Sequence, residues 1–131
     1  MPVPLDDHAR ALLDGKNFAT VATLDPDGSP HTSVVWCLRD GDDILFSSLA
    51  KRRKVKNLER DPRVALSVFD LANPYASVDI RGTATLAVDG AKELPVQVSR
   101  KYLGEDPPPE PEDEIRFVVR VTPDKVTSFR V

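Results

Sequence analysis

The sequence predicts a mainly β domain, with an antiparallel sheet closed into a barrel and interrupted by two or three short helices. Six or seven short segments rich in β-branched and aromatic residues alternate with Gly, Pro and Asp turn signals. Strands joined by tight turns favour antiparallel pairing over a parallel α/β sheet. The length of 131 residues fits one domain over residues 1–131, and the Gly-x-Gly-x-x-Gly dinucleotide fingerprint is absent.

The predicted elements follow the hydrophobic pattern and its interruptions. Helices are expected over residues 5–14, 50–60 and 91–102. Strands are expected over residues 18–24, 32–38, 44–46, 63–69, 75–86, 117–121 and 126–129. Gly82 interrupts the longest of these strands and predicts a bulge or bend. The acidic, proline-rich segment 104–114 predicts an extended surface loop, because its composition cannot form a packed core.

Composition and charge exclude several classes of protein. The net charge of −3 is not that of a polycation that binds nucleic acid, and no apolar run approaches the ~20 residues that span a bilayer. The first residues lack the basic start and apolar core of a signal peptide. Cys37 is the single cysteine, which excludes an internal disulfide, and the two histidines give no metal-ligand spacing. We therefore expect a cytoplasmic protein without a metal site, a membrane partner or a nucleic-acid partner.

Residues 47–58 are the most informative stretch of the chain. An apolar strand ends, two serines follow, and a helix opens with five positive charges. A helix start offers unpaired backbone N–H groups and a partial positive charge, which together suit a phosphate. Arginine adds a planar fork for oxygen contacts, and lysine adds a mobile point charge. This order of elements predicts binding of a phosphorylated cofactor.

Two other interpretations of these charges stay open. Dense cations on a helix are often a solvated face, and they can form a nucleic-acid patch, although no aromatic residues are interleaved here to stack on bases. Their position at the end of a strand favours phosphate. Helical spacing allows at most two or three of the cations to reach one phosphate group. The five cations are Lys51, Arg52, Arg53, Lys54 and Lys56.

Residues that would reveal a catalytic centre by pattern are sparse. His31 opens the second strand, but a lone histidine is more often a surface or hydrogen-bonded residue than a catalyst. Trp36 fits the core or an interface better than a cofactor wall. No serine or cysteine pairs clearly with a histidine, and no paired carboxylates stand out. The sequence therefore names no catalytic acid or base.

Several motifs taken together resemble one family. Segment 47–66 contains Ser-Ser-Leu-Ala, then Lys-Arg-Arg-Lys-Val-Lys-Asn-Leu, then Arg-Asp-Pro-Arg-Val-Ala-Leu. With segments 19–24, 27–30 and 81–84, it resembles the pyridoxamine-phosphate-oxidase-like split-barrel flavoproteins, in particular their actinobacterial F420-dependent branch. The similarity runs over residues 5–131. It implies a six-stranded antiparallel split β-barrel, a homodimer, and a cofactor held in a groove at the subunit interface.

The resemblance also implies cofactor-binding residues. Phosphate contacts are expected from Arg52 and Lys54, with Lys56 a weaker candidate. The strand-to-helix turn is expected to line the ring on one side of the groove, and the second strand on the other. Several relatives carry an amide-bearing residue where Val34 stands, which is a departure from the family pattern. The ring-lining residues implied in this way are Ser47, Ser48, Leu49, His31, Ser33, Val34 and Trp36.

The implied activity is hydride transfer between reduced coenzyme F420, a deazaflavin, and an electron-poor small molecule such as an enone, quinone or tetrapyrrole. In such an enzyme the cofactor supplies the chemistry, which fits the lack of a catalytic triad. The short chain and the lack of a recognisable pyridoxal-phosphate-binding C-terminal segment favour F420 over FMN. The alternatives are an FMN-binding oxidoreductase of the same fold and a non-catalytic cofactor-binding dimer.

Overall fold

The computed structural model describes residues 1–130, which form three helices and seven strands. The helices are α1 (Asp7–Asp14), α2 (Arg53–Arg60) and α3 (Glu93–Leu103). The strands are β1 (Ala19–Leu24), β2 (Pro30–Val35), β3 (Leu38–Asp40), β4 (Asp43–Leu49), β5 (Arg63–Asp70), β6 (Asn73–Val88) and β7 (Arg116–Phe129). No helix in this part of the chain is long and apolar enough to cross a membrane.

All seven strands belong to one antiparallel sheet in the order β2-β1-β5-β6-β7-β4-β3. The prediction of a mainly β, antiparallel fold is confirmed. The prediction of six strands closed into a barrel is wrong in its count and in its closure. Strands β2 and β3 are the two edges of a seven-stranded sheet, and no ladder joins them within residues 1–130.

The hydrophobic pattern and the structure both give seven strands, but two of the predicted boundaries differ, because they depend on contacts that are distant in sequence. The predicted strand over residues 32–38 is interrupted at Trp36 and Cys37. There the Cys37 N–H donates to the Tyr102 hydroxyl at 3.1 Å instead of to a neighbouring strand. The strands predicted over residues 117–121 and 126–129 are one continuous strand, β7, which pairs with β6 from one end to the other.

Gly82 lies at a shift in the β6–β7 register, and the bulge predicted there is confirmed. Its partner is Pro123, whereas the preceding Arg81 pairs with Lys125, so β7 contributes one extra residue. A Cβ atom at Gly82 would stand 2.3 Å from the carbonyl oxygen of Thr122. Only glycine allows so close a backbone approach, and the bulge bends the two longest strands of the sheet.

The core lies under one face of the sheet. Along β5 buried positions alternate with exposed or half-buried ones, as expected for a sheet with one covered face. Helix α1 begins after Asp6, whose carboxylate accepts from the Ala9 N–H at 2.8 Å, and the apolar side of α1 joins the core. Core residues of these two elements are Ala9, Leu12, Leu13, Val64, Leu66 and Val68.

Helix α2 follows β4 after a short turn and is fixed to the end of β1. Asn57 is buried and donates from Nδ2 to Thr23 Oγ1 and to Asp25 Oδ1, at 3.0 Å each. Arg53, in the first turn of α2, forms an ion pair with the same Asp25. These contacts fix the direction in which the start of α2 points.

The acidic segment 104–114 follows α3 without helix or strand, as its composition predicts. Basic side chains from four other places in the chain hold it. The ion pairs are Arg100 with Asp106 (2.6 Å), Lys92 with Glu110 (3.5 Å), Arg116 with Glu110 (3.1 Å) and Lys51 with Glu114 (3.1 Å). The loop is therefore fastened both to α3 and to the region where β4 turns into α2.

Candidate functional site

A cavity of about 610 Å³ opens where β4 turns into α2. It lies between this turn, the end of β2, one side of α3 and the loop that follows α3. A volume of this size is typical of a small-molecule site. The turn supplies a polar, positively charged corner, and α3 supplies a largely apolar wall.

Arg52 and Lys54 form the cationic corner of this cavity. Arg52 is the N-cap residue of α2, with φ −68° and ψ 146°, and no side chain caps the helix. In the first turn of α2 the Val55 N–H donates to the Arg52 carbonyl oxygen at 3.1 Å, whereas the N–H groups of Arg53 and Lys54 lack the side-chain cap that many helices provide. Within residues 1–130, no carboxylate pairs with the side chain of Arg52 or Lys54.

The other cations of the basic segment are compensated, and none of them lines the cavity. Their partners are Glu114 for Lys51 (3.1 Å), Asp25 for Arg53, and Glu59 for Lys56 (3.8 Å). The interpretation as a solvated helical face therefore describes these three charges well. It does not describe Arg52 and Lys54, which face a concave surface without a counterion.

The electrostatics of the corner favour an anion. Burial lowers the pKa of Lys54, and the nearby charge of Arg52 lowers it further. A lysine whose pKa is lowered in this way holds its proton at a cost in free energy. A negatively charged group placed between the two side chains would remove that cost, and a phosphate is of suitable charge and size.

Six of the seven predicted ring-lining residues border the same cavity: Ser33, Val34, Trp36, Ser47, Ser48 and Leu49. They come from the end of β2, from Trp36 directly after it, and from β4; β2 and β4 are not neighbours in the sheet. The Ser33 Oγ atom is buried and has no hydrogen-bond partner among the described residues. The neighbouring Val34 side chain is 64% exposed. Because side chains alternate along a strand, those of Ser33 and Val34 point to opposite faces of β2, and the buried Ser33 hydroxyl is not open to the cavity.

Two predicted residues lie elsewhere. His31 stands opposite Thr23 in the β1–β2 ladder and does not line the cavity. Lys56 is turned toward Glu59 on the same helix and does not line the cavity either. A role of either residue in cofactor binding stays a prediction that this cavity does not support.

Trp36 is held in place by aromatic stacking. Its ring lies 5.1 Å from that of Tyr102, with an angle of 6° between the planes, and the Phe18 ring also stacks with Tyr102, at 5.8 Å. The Tyr102 hydroxyl donates to the Asn17 carbonyl oxygen at 2.6 Å. Burial raises the pKa of Tyr102, so it stays protonated as a donor. Trp36 thus presents a rigid edge to the cavity.

The cavity contains residues that the sequence pattern did not identify. Helix α3 and the following loop contribute Pro95, Val98, Ser99, Leu103, Glu105, Asp106, Pro107 and Pro108. Arg116 enters from the start of β7, where it pairs with Leu49 across the ladder. The acidic composition of the loop was visible in the sequence, but its position beside the cavity depends on the fold. No local pattern distinguishes Arg116 from other strand arginines.

A phosphorylated tricyclic cofactor fits this set of residues. The two uncompensated cations suit a phosphate, and the apolar wall supplied by α3 suits a flat aromatic surface. The residues present therefore fit a flavin or a deazaflavin.

A family profile described as pyridoxamine 5'-phosphate oxidase matches residues 5–130. A pyridoxine/pyridoxamine 5'-phosphate oxidase from Kineococcus radiotolerans is 31% identical over 101 residues. That match covers 77% of this chain and 42% of the oxidase, so the chain spans less than half of the oxidase's length.

Solved structures share the fold over most of the chain. A protein named F420 Reductase is 28% identical with a TM-score of 0.83, covering 94% of this chain and 98% of the other. A conserved hypothetical protein from Mycobacterium tuberculosis has a TM-score of 0.78 at 24% identity, covering 98% and 86% of the two chains. A pyridoxamine 5'-phosphate oxidase-related, FMN binding protein from Nostoc punctiforme has a TM-score of 0.63 at 12% identity, covering 85% and 72%. The last two show the fold alone. With a profile match over nearly its whole length and a fold shared with these structures, the chain belongs to the pyridoxamine 5'-phosphate oxidase family.

Proposed function

We propose that the protein is an F420-dependent oxidoreductase that transfers a hydride between the reduced deazaflavin and a small electron-poor organic molecule. The observation that carries this proposal is the pair Arg52 and Lys54, which line the cavity without a counterion among residues 1–130. The similarity to the protein named F420 Reductase, over 94% of this chain, supports the choice of cofactor.

The residues of the chain would bind and orient the cofactor. Arg52 and Lys54 would hold its phosphate, and the turn at Ser47 and Ser48 would lie against the ring. Helix α3 and the loop after it would shield the ring from water on the opposite side. When bound, the deazaflavin would supply hydride transfer to an acceptor such as an enone, a quinone or a tetrapyrrole.

FMN is the second candidate cofactor. It also carries a phosphate on a tricyclic ring, so the same corner and wall would hold it. The 31% identity to a pyridoxine/pyridoxamine 5'-phosphate oxidase favours this alternative, although the chain spans only 42% of that enzyme. A yellow protein with flavin absorbance after purification would support FMN. A colourless protein that ignores added FMN would exclude it.

Titration of the purified protein with F420 and with FMN, followed by cofactor fluorescence, tests the phosphate assignment. In the variant Arg52→Gln/Lys54→Gln we expect affinity to fall by at least roughly 100-fold, since each of the two hydrogen bonds to a charged group contributes about 1.5–3 kcal/mol. The matched control is Arg81→Gln/Lys125→Gln, which also removes one arginine and one lysine, both exposed on the β6–β7 ladder and outside the cavity. Its affinity should stay within about threefold of the wild type. Equal losses in the two double variants would contradict the assignment.

Turnover separates an enzyme from a non-catalytic cofactor carrier. The loaded protein is mixed with a panel of enones, quinones and tetrapyrroles, and cofactor oxidation is followed by absorbance. One acceptor with multiple turnovers supports the oxidoreductase. Tight binding without turnover across the panel would favour the carrier.

We also expect a homodimer, because the cavity rim carries exposed apolar side chains at Val34 and Leu103 that a second copy would cover. Light scattering should give roughly twice the monomer mass of 14.5 kDa. A monomer at micromolar concentration would contradict this expectation. The cytoplasmic location and the lack of a nucleic-acid partner stay predictions.

A further inference from the structure

Arg116 is a third cation on the cavity, and its surroundings differ from those of Arg52 and Lys54. Its guanidinium pairs with the Glu110 carboxylate in the loop, from Nε to Oε1 and from Nη2 to Oε2, at 3.1 Å each. Lys92 approaches the same carboxylate at 3.5 Å. Glu110 therefore compensates part of the positive charge of Arg116, which makes this residue a weaker partner for a phosphate than Arg52 or Lys54.

The pairing with Glu110 occupies only one edge of the guanidinium. An arginine has five N–H donors, and Glu110 accepts from Nε and from one N–H of Nη2. The opposite nitrogen, Nη1, points toward Ser47, whose Oγ lies 3.4 Å away. This distance is long for a good hydrogen bond, so the Nη1 edge keeps donor capacity on the side of the cavity.

The backbone of Arg116 is fixed by strands rather than by the loop. Arg116 pairs with Leu49 across the β4–β7 ladder, and its carbonyl oxygen accepts from the Asp89 N–H at 2.8 Å. The neighbouring Ile115 carbonyl oxygen accepts from the Ala50 N–H at 2.8 Å. The side chain thus starts beside Ser47 and Leu49, the residues proposed to line the ring, and away from the uncapped start of α2.

We propose that Arg116 is a further cofactor-binding residue that donates hydrogen bonds to the carbonyl-bearing edge of the ring, and that Glu110 is the residue that positions it. This inference rests on the proposed function, but not on the choice between F420 and FMN, because both rings carry a dione edge. The pair of residues works as an oriented donor with little net charge, which suits a neutral carbonyl oxygen better than a phosphate.

The experiment compares each cofactor with the same ring lacking phosphate: FMN with riboflavin, and F420 with its dephosphorylated chromophore. Arg116→Gln should weaken the phosphorylated and the phosphate-free ligand by the same factor, roughly tenfold, because only a ring contact is lost. Arg52→Gln/Lys54→Gln should weaken the phosphorylated ligand alone. Glu110→Gln should weaken both ligands by a smaller, equal factor, since Arg116 stays charged but loses its orientation.

Arg120→Gln is the matched control. Arg120 lies on the same strand as Arg116 and is also paired with carboxylates, Asp40 at 2.9 Å and Asp43 at 3.0 Å, but it does not line the cavity. Its affinities should equal those of the wild type. Circular dichroism and thermal unfolding confirm that each variant is folded.

Four outcomes would overturn the inference. In the first, Arg116→Gln binds both ligands like the wild type; in the second, it loses affinity for the phosphorylated ligand alone. In the third, Arg120→Gln loses as much affinity as Arg116→Gln. In the fourth, Arg116→Gln is unfolded, while Glu110→Gln is folded and binds the ring with unchanged affinity. If the wild type binds neither ring, the proposed function fails first and the inference fails with it. The two failures are distinguishable, because binding to the wild type tests the proposed function, whereas binding to the variants tests the inference.

Discussion

The Asn57 side chain donates to Thr23 Oγ1 at 3.0 Å, and through this contact the basic helix is fixed to the sheet. Both groups are buried, with 2% of Asn57 and 1% of Thr23 exposed. The same amide group also donates to Asp25 at 3.0 Å. A helix as short as α2 has little stability of its own, so its orientation depends on such tertiary contacts. The direction in which Arg52 and Lys54 point is therefore set about one helical turn further along α2, by a residue outside the cavity.

We expect Asn57→Ala to lower the free energy of unfolding by about 2–3 kcal/mol, because it leaves a buried threonine hydroxyl without its donor and opens a small cavity. Urea unfolding followed by circular dichroism measures the change. The control is Gln97→Ala, an exposed amide on α3, which should shift the free energy of unfolding by less than about 0.5 kcal/mol. Indistinguishable unfolding curves for the two variants would show that the Asn57 contact is dispensable.

Gly82→Ala should lower the free energy of unfolding by about 1–3 kcal/mol, since the added Cβ would meet the Thr122 carbonyl oxygen at 2.3 Å and the backbone must move. Gly90→Ala is its counterpart, because nothing lies within 4 Å of a Cβ at that position and its φ is not positive. We expect that change to stay within about 0.5 kcal/mol of the wild type. Thermal unfolding of the two variants side by side checks the difference, and equal midpoints would argue against a close strand approach at the bulge.

Cofactor affinity should depend on pH through Lys54. In the free protein, burial and then the charge of Arg52 lower its pKa below the ordinary value of 10.5, whereas a bound phosphate would favour the protonated form. Cofactor affinity should therefore fall as the pH rises through the pKa of Lys54 in the cofactor-free protein. This fall should begin at a pH below the ordinary pKa of 10.5. Titrations with F420 or FMN between about pH 7 and pH 10 measure this dependence.

Two variants isolate the contribution of Lys54 to that profile. Lys54→Gln should make affinity weaker and nearly independent of pH over the same range. Arg52→Gln removes a neighbouring positive charge, so the pKa of Lys54 should rise and the fall in affinity should move to higher pH. An unchanged alkaline fall in Lys54→Gln would assign the titration to another group.

The stability of the protein should also depend on pH through Lys54. It should rise with pH, whereas cofactor affinity falls. Because the folded-state pKa of Lys54 lies below its unfolded value, the charged side chain opposes folding at neutral pH. This cost disappears as the pH rises through the window between the two values. The contribution of Lys54 alone should thus raise the free energy of unfolding of the wild type, relative to Lys54→Gln, on moving from neutral to alkaline pH.

The sequence predicted the parts of the fold that depend on local pattern. The strand–turn–helix order around Ser47 and Arg52, the bulge at Gly82 and the loop 104–114 follow from turn chemistry, from hydrophobic spacing and from composition. The boundaries of β2 and β3 did not follow, because the Cys37 N–H bonds to Tyr102, which is 65 residues away in sequence. The open edges of the sheet likewise depend on pairing that no short segment determines.

The candidate site also combines residues that local sequence pattern can identify with residues whose roles depend on distant contacts. The helix start predicted a phosphate site among five cations, the family resemblance singled out Arg52 and Lys54, and both of these line the cavity. The sequence could not show that Lys51 and Arg53 are paired with Glu114 and Asp25, since those carboxylates lie in distant segments. Arg116 was missed for the same reason, because its approach to Ser47 depends on the β4–β7 ladder.

Trp36 is the single tryptophan of the chain and lines the cavity, so its emission should report cofactor binding. A flavin or deazaflavin ring within the cavity would accept excitation energy from the nearby indole, and we expect tryptophan emission to fall by more than about half at saturation. The midpoint of quenching should match that of cofactor fluorescence, and in Arg52→Gln/Lys54→Gln it should move to the same higher concentration. Tyr102→Phe tests the support behind Trp36, because it keeps the ring 5.1 Å away and removes the hydroxyl that accepts from the Cys37 N–H. That variant should lose about 1–3 kcal/mol of stability and still show quenching. If the cofactor binds by its own fluorescence while Trp36 emission stays constant, the ring lies away from the β2 side of the cavity.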